Sequence, residues 1–150
     1  MKILALNRRA KFDYEITERL IAGVVLTGPE TKSAKAGHLS LKGSFVQIKD
    51  GEAYLTNAQI TPYAQAGPYL PQEPLRNRKL LLHQKELDKF IAVKQAGFSI
   101  VAMAAGLERG YVKIEVGIGH GKKRYDKRQT IKARETNREL GRALKNRSVK

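Results

Sequence analysis

The sequence predicts a mainly β domain carrying two or three helices, and three observations lead there. Residues 111–118 alternate strictly, with Val112, Ile114, Val116 and Ile118 on one side and Lys113 and Glu115 on the other, which is the period of a half-buried strand. Two polar interruptions, Asp50-Gly51 and Glu108-Arg109-Gly110, lie between apolar runs where hairpin turns belong. Only one long stretch, residues 82–96, repeats its apolar side chains at helical spacing.

Along the chain, Tyr14 and Ile16 alternate with Glu15 and Thr17 before an apolar run from 20 to 26 that Gly23 interrupts. A long strand bulged or sharply bent at Gly23 is expected. Residues 29–36 predict a short helix, with Pro29 in the first turn, acid early, base late and Gly37 at the end. Residues 44–48 and 53–55 flank Asp50-Gly51, a pair that tolerates the positive φ of a type I′ turn. Pro62, Pro68, Pro71 and Pro74 then enforce an irregular connection, of a length characteristic of functional or mobile loops. In the long helix, Leu87, Phe90, Ile91 and the Lys94 stem fall at i, i+3, i+4 and i+7, and Gly97 is a natural stop. Residues 98–104 are apolar enough for a buried strand, and residues 117–121, with three glycines, read as a hinge. About six short strands bent by glycines make a small closed or nearly closed antiparallel barrel. The oligonucleotide-binding type is favoured; a β-sandwich is the alternative.

The chain has 150 residues, 29 Lys+Arg against 14 Asp+Glu, and a formal charge of +15. That length holds one domain and a tail. No apolar run approaches the roughly 18 residues of a membrane-spanning helix, and Ile3-Leu4-Ala5-Leu6 is too short an apolar run for a secretory signal. The absence of cysteine excludes disulfides, zinc-thiolate sites and thiol nucleophiles, and agrees with a reducing compartment. A cytoplasmic protein is expected. A field this positive attracts polyanions, either nucleic acid or an anionic membrane surface.

The charge is uneven. Residues 121–150 hold six Lys and six Arg against Asp126, Glu135 and Glu139, a net of +9. Their few scattered aliphatic side chains cannot offset the ordering entropy of the segment. Two regions are therefore expected: a body over 1–120, and a basic tail over 121–150 that is disordered alone. The tail contains no proline and is rich in helix formers, so a polyanion that neutralises it should let it become helical.

His38, His83 and His120 show no metal-ligand spacing, and neither a phosphate-binding P-loop nor a serine nucleophile elbow is present. No enzyme, metal or cofactor is expected. Three basic clusters are better represented: Asn7-Arg8-Arg9-Ala10-Lys11-Phe12, Arg76-Asn77-Arg78-Lys79, and residues 121–128. Each sets phosphate-neutralising charge beside groups that bond to or stack on a base, a mixture suited to RNA.

Six ordered motifs carry a resemblance: Ala5-Leu6-Asn7-Arg8-Arg9-Ala10; Gly28-Pro29-Glu30-Thr31-Lys32-Ser33 with Ala36-Gly37; Asp50-Gly51-Glu52-Ala53; Arg78-Lys79-Leu80-Leu81-Leu82-His83; Gly110-Tyr111-Val112-Lys113; and Gly121-Lys122-Lys123-Arg124-Tyr125-Asp126-Lys127-Arg128. Together they resemble the SsrA-binding protein family, small protein B, over nearly the whole chain. The resemblance implies a barrel that grips the tRNA-like domain of transfer-messenger RNA, and a tail that enters the empty mRNA channel of a stalled ribosome beside small-subunit rRNA. The outcome is trans-translation, which tags the unfinished peptide and rescues the ribosome. It also implies a monomer that works with the elongation factor delivering aminoacylated RNA, away from membranes. By that similarity Asn7, Arg8, Glu30, Lys32, Leu81 and Lys113 sit on or support the RNA-binding face, and Tyr125, Asp126, Lys127 and Arg128 reach the decoding centre. The basic clusters add Arg9, Arg76, Arg78 and Lys79 to the face, and Lys122 and Lys123 to the tail. Leu81 is expected to support the surface from within. Glu30 is expected to act through the start of its helix, an ion pair with a base such as Lys32, or a ribose hydroxyl. Two readings compete: a structural protein of the ribosome, also small, basic and tailed, and a membrane-surface protein.

Overall fold

The computed structural model describes residues 1–66 and 72–122. Their elements, in order, are β1 (Lys2–Leu6), α1 (Arg8–Asp13), β2 (Tyr14–Val24), α2 (Gly28–Lys35), β3 (Leu39–Ser40), β4 (Phe45–Lys49), β5 (Glu52–Thr56), β6 (Gln59–Ile60), a 3₁₀ turn (Ala64–Ala66), β7 (Arg78–Leu81), α3 (Gln84–Gln95), β8 (Ser99–Glu108) and β9 (Tyr111–Gly121). All strand pairs are antiparallel. The order β8-β4-β5-β7-β2-β9 returns to β8, so six strands close into a ring; β1 runs beside the second half of β8, and β3 pairs separately with β6. This ring is the small barrel that the sequence predicts.

Closure depends on bends. β2 slips register between Ile16 and Glu18, and β8 between Ala102 and Ala104; one extra residue at each place bends its strand and sharpens its twist. The bulge expected at Gly23 therefore falls at Thr17, whose hydroxyl donates to the Ile118 carbonyl at 3.1 Å. Gly23 is instead the residue at which β2 is paired on both sides, with Lys113 of β9 and Leu81 of β7. A Cβ there would stand 3.2 Å from Leu81 Cβ, so glycine leaves room for the leucine to lie across it.

Both hairpins form as expected. Asp50 and Gly51 have φ of 52° and 74°, and Arg109 and Gly110 have 51° and 81°, the left-handed pairs that a type I′ turn requires. The hinge reading of residues 117–121 is overturned: β9 stays paired to its end at Gly121. A Cβ on Gly119 would lie 2.0 Å from the Glu15 carbonyl oxygen, so glycine stands here because neighbouring backbone touches it.

The barrel interior joins Ala22, Val46, Leu55, Leu80, Ile100, Ile114 and Val116 to Phe90 of α3 in one cluster. Leu87 and Val93 pack partly against it, whereas Lys94 is exposed; Val93, not the Lys94 stem, completes the helix face. On the outer surface, Ala10 of α1 covers Val101 and Met103, with Tyr14 and Ile16 packed beside them. Sequence periodicity did not disclose β1, α1 or β7, each of which is six residues or shorter and displays too little of a repeat to read. The predicted helical tail beyond Lys122 and the middle of the proline-rich connection lie outside the described residues.

Candidate nucleic-acid interface

One part of the outer barrel surface is bare. Inward side chains of β9 are fixed by its alternation, so Tyr111, Lys113 and Glu115 face out, and register carries that face across the sheet. Lys113 lies opposite Gly23, Gly23 opposite Leu81, Glu115 opposite Ile21, and Lys79 opposite Tyr54. Partners directly opposite in an antiparallel sheet share a side. The result is a row of exposed apolar side chains between cations: Ile21 is 51% exposed, Leu81 54% and Tyr111 72%.

Two clefts flank that row, and Gly23, Leu81 and Lys113 line both. One, of about 500 Å³, adds Lys79, Glu52 and the first turn of α3 at His83 and Glu86. The other, of about 440 Å³, adds Tyr111, Val25 and α2 through Thr31 and Lys35. A cationic, partly apolar groove between two helices suits a sugar-phosphate backbone, with apolar side chains against ribose or base and ammonium groups at phosphates. Leu81 thus stands at the surface, contrary to the expectation that it supports the face from within. Its sheet parity decides this: Leu80, one residue earlier, takes the core position at 3% exposure.

Lys79 is not free in this groove. Its Nζ donates to Glu52 Oε1 at 3.0 Å, and the Tyr54 hydroxyl donates to Glu52 Oε2 at 2.9 Å. The hydrogen bond from Lys79, then that from Tyr54, hold the Glu52 carboxyl below the ordinary glutamate range, and the same contact with Glu52 raises Lys79.

A second charged cluster lies inside. Arg78 is fully buried, its Nε donating to Glu30 Oε2 at 2.6 Å, Nη1 to the Ala58 carbonyl at 2.8 Å and Nη2 to the Pro74 carbonyl at 3.1 Å. Arg76 Nη2 donates to Glu30 Oε1 at 2.6 Å. Glu30 also closes a capping box: its Oε1 accepts from the Thr27 backbone N–H, and Thr27 Oγ1 accepts from the Glu30 N–H. Burial raises the pKa of Glu30, but hydrogen bonds from Arg76, the Thr27 backbone and Arg78 outweigh it, and the net shift is downward. Desolvation lowers Arg78 against the support of Glu30. The expectation that Arg78 meets RNA is corrected, because its guanidinium has no exposed surface and its donors are engaged. Glu30 acts through its helix start and through ion pairs with Arg76 and Arg78. Lys32 is not its partner and stands 5.6 Å from the centroid of the Tyr63 ring instead, a cation–π distance.

Three further expected residues, Asn7, Arg8 and Arg9, lie at the start of α1. Asn7 is buried at 6% exposure, with Nδ2 donating to the carbonyls of Leu41 and Ala102 at 3.0 and 2.9 Å and Oδ1 accepting from the Ala10 N–H. It is the N-cap that fastens α1 to β8. Arg8 and Arg9 are exposed and line a cleft with Lys42. Lys122 is bound to the body through its backbone N–H, which donates to the Asp13 carbonyl at 2.8 Å; Lys123, Tyr125, Asp126, Lys127 and Arg128 lie outside the described residues. The sequence reading missed Tyr111, although its parity with Lys113 was visible. It also missed Ile21 and Val25, which an apolar run conceals among core residues. Among the described residues no cluster of three or more His, Asp or Glu is placed to hold a metal ion.

The family model described as SmpB protein matches residues 4–146. The SsrA-binding protein of Latilactobacillus sakei is 47% identical over 97% of this chain and 93% of its own length, and that of Trichormus variabilis is 44% identical over 97% and 94%. Among solved structures, a chain from "tmRNA-SmpB: a journey to the center of the bacterial ribosome" superposes with a TM-score of 0.65 at 43% identity, covering 84% of this chain and 92% of that one. A closed barrel with one bare cationic face, matched to these relatives along nearly all of its length, places the chain in the SmpB family.

Proposed function

We propose that this protein is the RNA-binding adaptor of trans-translation. Its body binds the tRNA-like domain of transfer-messenger RNA, and the segment beyond Lys122 occupies the empty mRNA channel of a stalled ribosome, with Tyr125, Asp126, Lys127 and Arg128 at the decoding centre. As a member of the SmpB family it is not an enzyme. The observation that carries the reading is the groove around Leu81 and Lys113, where exposed apolar side chains stand among lysines on the outer face of the sheet. Lys113, Lys79 and Lys35 meet phosphates there. Leu81, Ile21 and Tyr111 lie against ribose and base, and Gly23 leaves the room in which Leu81 lies across the sheet. Glu30, Arg78 and Asn7 hold the elements that shape this face. Arg8 and Arg9 supply a separate basic surface, and Arg76 and Lys32 add charge near α2.

The protein works as a monomer in the cytoplasm, beside the elongation factor that delivers aminoacylated RNA. No helix among the described residues is long and apolar enough to cross a membrane. The test deletes residues 123–150. The truncated body should keep its affinity for transfer-messenger RNA and its preference over other RNA, yet lose peptide tagging on ribosomes stalled at a truncated message. Loss of structured-RNA binding in that truncation would contradict this division, and stoichiometric association with actively cycling ribosomes without transfer-messenger RNA would favour a structural ribosomal protein.

A further inference from the structure

We propose that Glu52 is a built-in competitor of RNA for Lys79, which limits the hold of this face on indiscriminate polyanions. The inference rests on the RNA-binding reading above and adds a source of specificity to it. Glu52 is a carboxylate fixed beside Lys79 in a cleft that Lys113, His83 and a second carboxylate, Glu86, also line; Glu86 is turned to the start of α3, where its Oε1 accepts from the His83 backbone N–H at 3.1 Å. Both of its oxygens are engaged, Oε1 by Lys79 Nζ and Oε2 by the Tyr54 hydroxyl. The strand register that sets Tyr54 opposite Lys79 keeps the three groups together on one surface.

Folding does not explain the arrangement. The side chains of Lys79 and Glu52 are 45% and 43% exposed, and ion pairs so open to water contribute little to stability. Their effect falls on whatever anion enters the cleft. A phosphate that approaches Lys79 meets a carboxylate already on the ammonium, and must displace it or stay beside it against like-charge repulsion. An RNA of matching shape offsets that cost through Leu81, Lys113 and the flanking helices. A flexible single strand has only its phosphates to offer. A fixed counter-charge therefore weakens wrong partners more than right ones, which is how specificity is raised without a new attractive contact. Lys113, by contrast, has no ion-pair partner among the described residues, so the two lysines of the cleft divide the work: one is open and one is conditional.

The experiment measures binding of the full chain to a transfer-messenger RNA transcript and to a poly(U) 20-mer across a salt series, for wild type, E52Q, Y54F, K79M and E52Q/K79M. E52Q should bind poly(U) about three- to tenfold tighter, with a salt dependence steeper by roughly one counterion, and bind the transcript less than twofold tighter. Y54F, which frees Glu52 Oε2 without changing charge, should shift poly(U) binding in the same direction by less. In the K79M background the E52Q gain should vanish. A gain that persists without Lys79 overturns the proposal, because it would reflect general charge and not competition for that ammonium. Transcript binding that falls in E52Q while poly(U) binding holds also overturns it, and makes Glu52 a positioning residue for Lys79. Wild type that fails to prefer the transcript would sink the functional reading itself; wild type that prefers it, with E52Q unchanged on both RNAs, sinks only this inference.

Discussion

Two clusters in this protein each hold a glutamate by basic side chains, Glu30 by Arg76 and Arg78 and Glu52 by Lys79 with the Tyr54 hydroxyl, and they differ most in burial. Around Glu30, Arg78 has no exposed surface and every strong donor is matched to a carboxylate or a carbonyl. Around Glu52, Lys79 stands nearly half exposed on the outer sheet face. Water sets the difference: in the interior an unpaired charge has no solvent to accept it, whereas at the surface either partner can separate and be hydrated. The first cluster therefore fixes where α2, β7 and the β5–β6 connection at Ala58 meet, and the second stays available to a ligand. Position in a basic sequence cluster does not distinguish them, for Arg78 and Lys79 are adjacent.

The largest expected effect breaks the interior cluster. E30Q preserves shape but leaves the Arg78 guanidinium buried without a counter-charge, and should destabilise the fold by about 3–5 kcal/mol, read as a lower denaturant midpoint. Acid should reproduce part of this loss in the wild type. The folded pKa of Glu30 lies below the ordinary value of 4.5, so its contribution is complete above that value and disappears as pH falls through the depressed one. Urea midpoints measured downward from pH 5.5 should fall more steeply for wild type than for E30Q; parallel curves would mean that Glu30 is not the group responsible.

On the outer face the order reverses, with binding changing and stability not. K113M should weaken transfer-messenger RNA binding about tenfold and flatten the salt dependence by roughly one phosphate, with stability unchanged within about 0.5 kcal/mol. A melting temperature that drops with the affinity would show that Lys113 supports the barrel instead. L81S should cost about three- to fivefold in binding with little change in salt slope, since it removes apolar contact and no charge. The smallest effect belongs to E52Q in the absence of RNA, which should leave the denaturant midpoint essentially unmoved, because an ion pair this open to water adds little to the fold.

How far the sequence carried can be read from particular elements. The alternation in β9 fixed which of its side chains are buried, because a period of two leaves no other choice once Val112, Ile114, Val116 and Ile118 share a face. Asp50-Gly51 fixed its turn because few other pairs accept left-handed backbone at both positions, whereas the turn at Arg109-Gly110 was marked by a polar interruption ending in glycine between two apolar runs. The bend in β2 was misplaced. A bulge needs no glycine, and Gly23 answers to Leu81, which lies 58 positions further along the chain. The glycines near the end of β9 looked like freedom and are the opposite, since Gly119 is confined by the Glu15 carbonyl. Asn7 and Arg78 looked like RNA ligands because polarity is visible in a sequence and burial is not.

Composition, strand period and turn chemistry determined by themselves that this is a basic, mainly β domain and favoured a barrel over a sandwich, and the ordered motifs pointed to its family. These are local properties, each carried by a few neighbouring residues; the ring of six strands that settles the barrel is a tertiary feature. Which charges face water was decided only when strands distant in sequence met in register. Burial and pairing are properties of three-dimensional neighbours, and the barrel's closure sent Arg78 inward to Glu30 and Lys79 outward to Glu52.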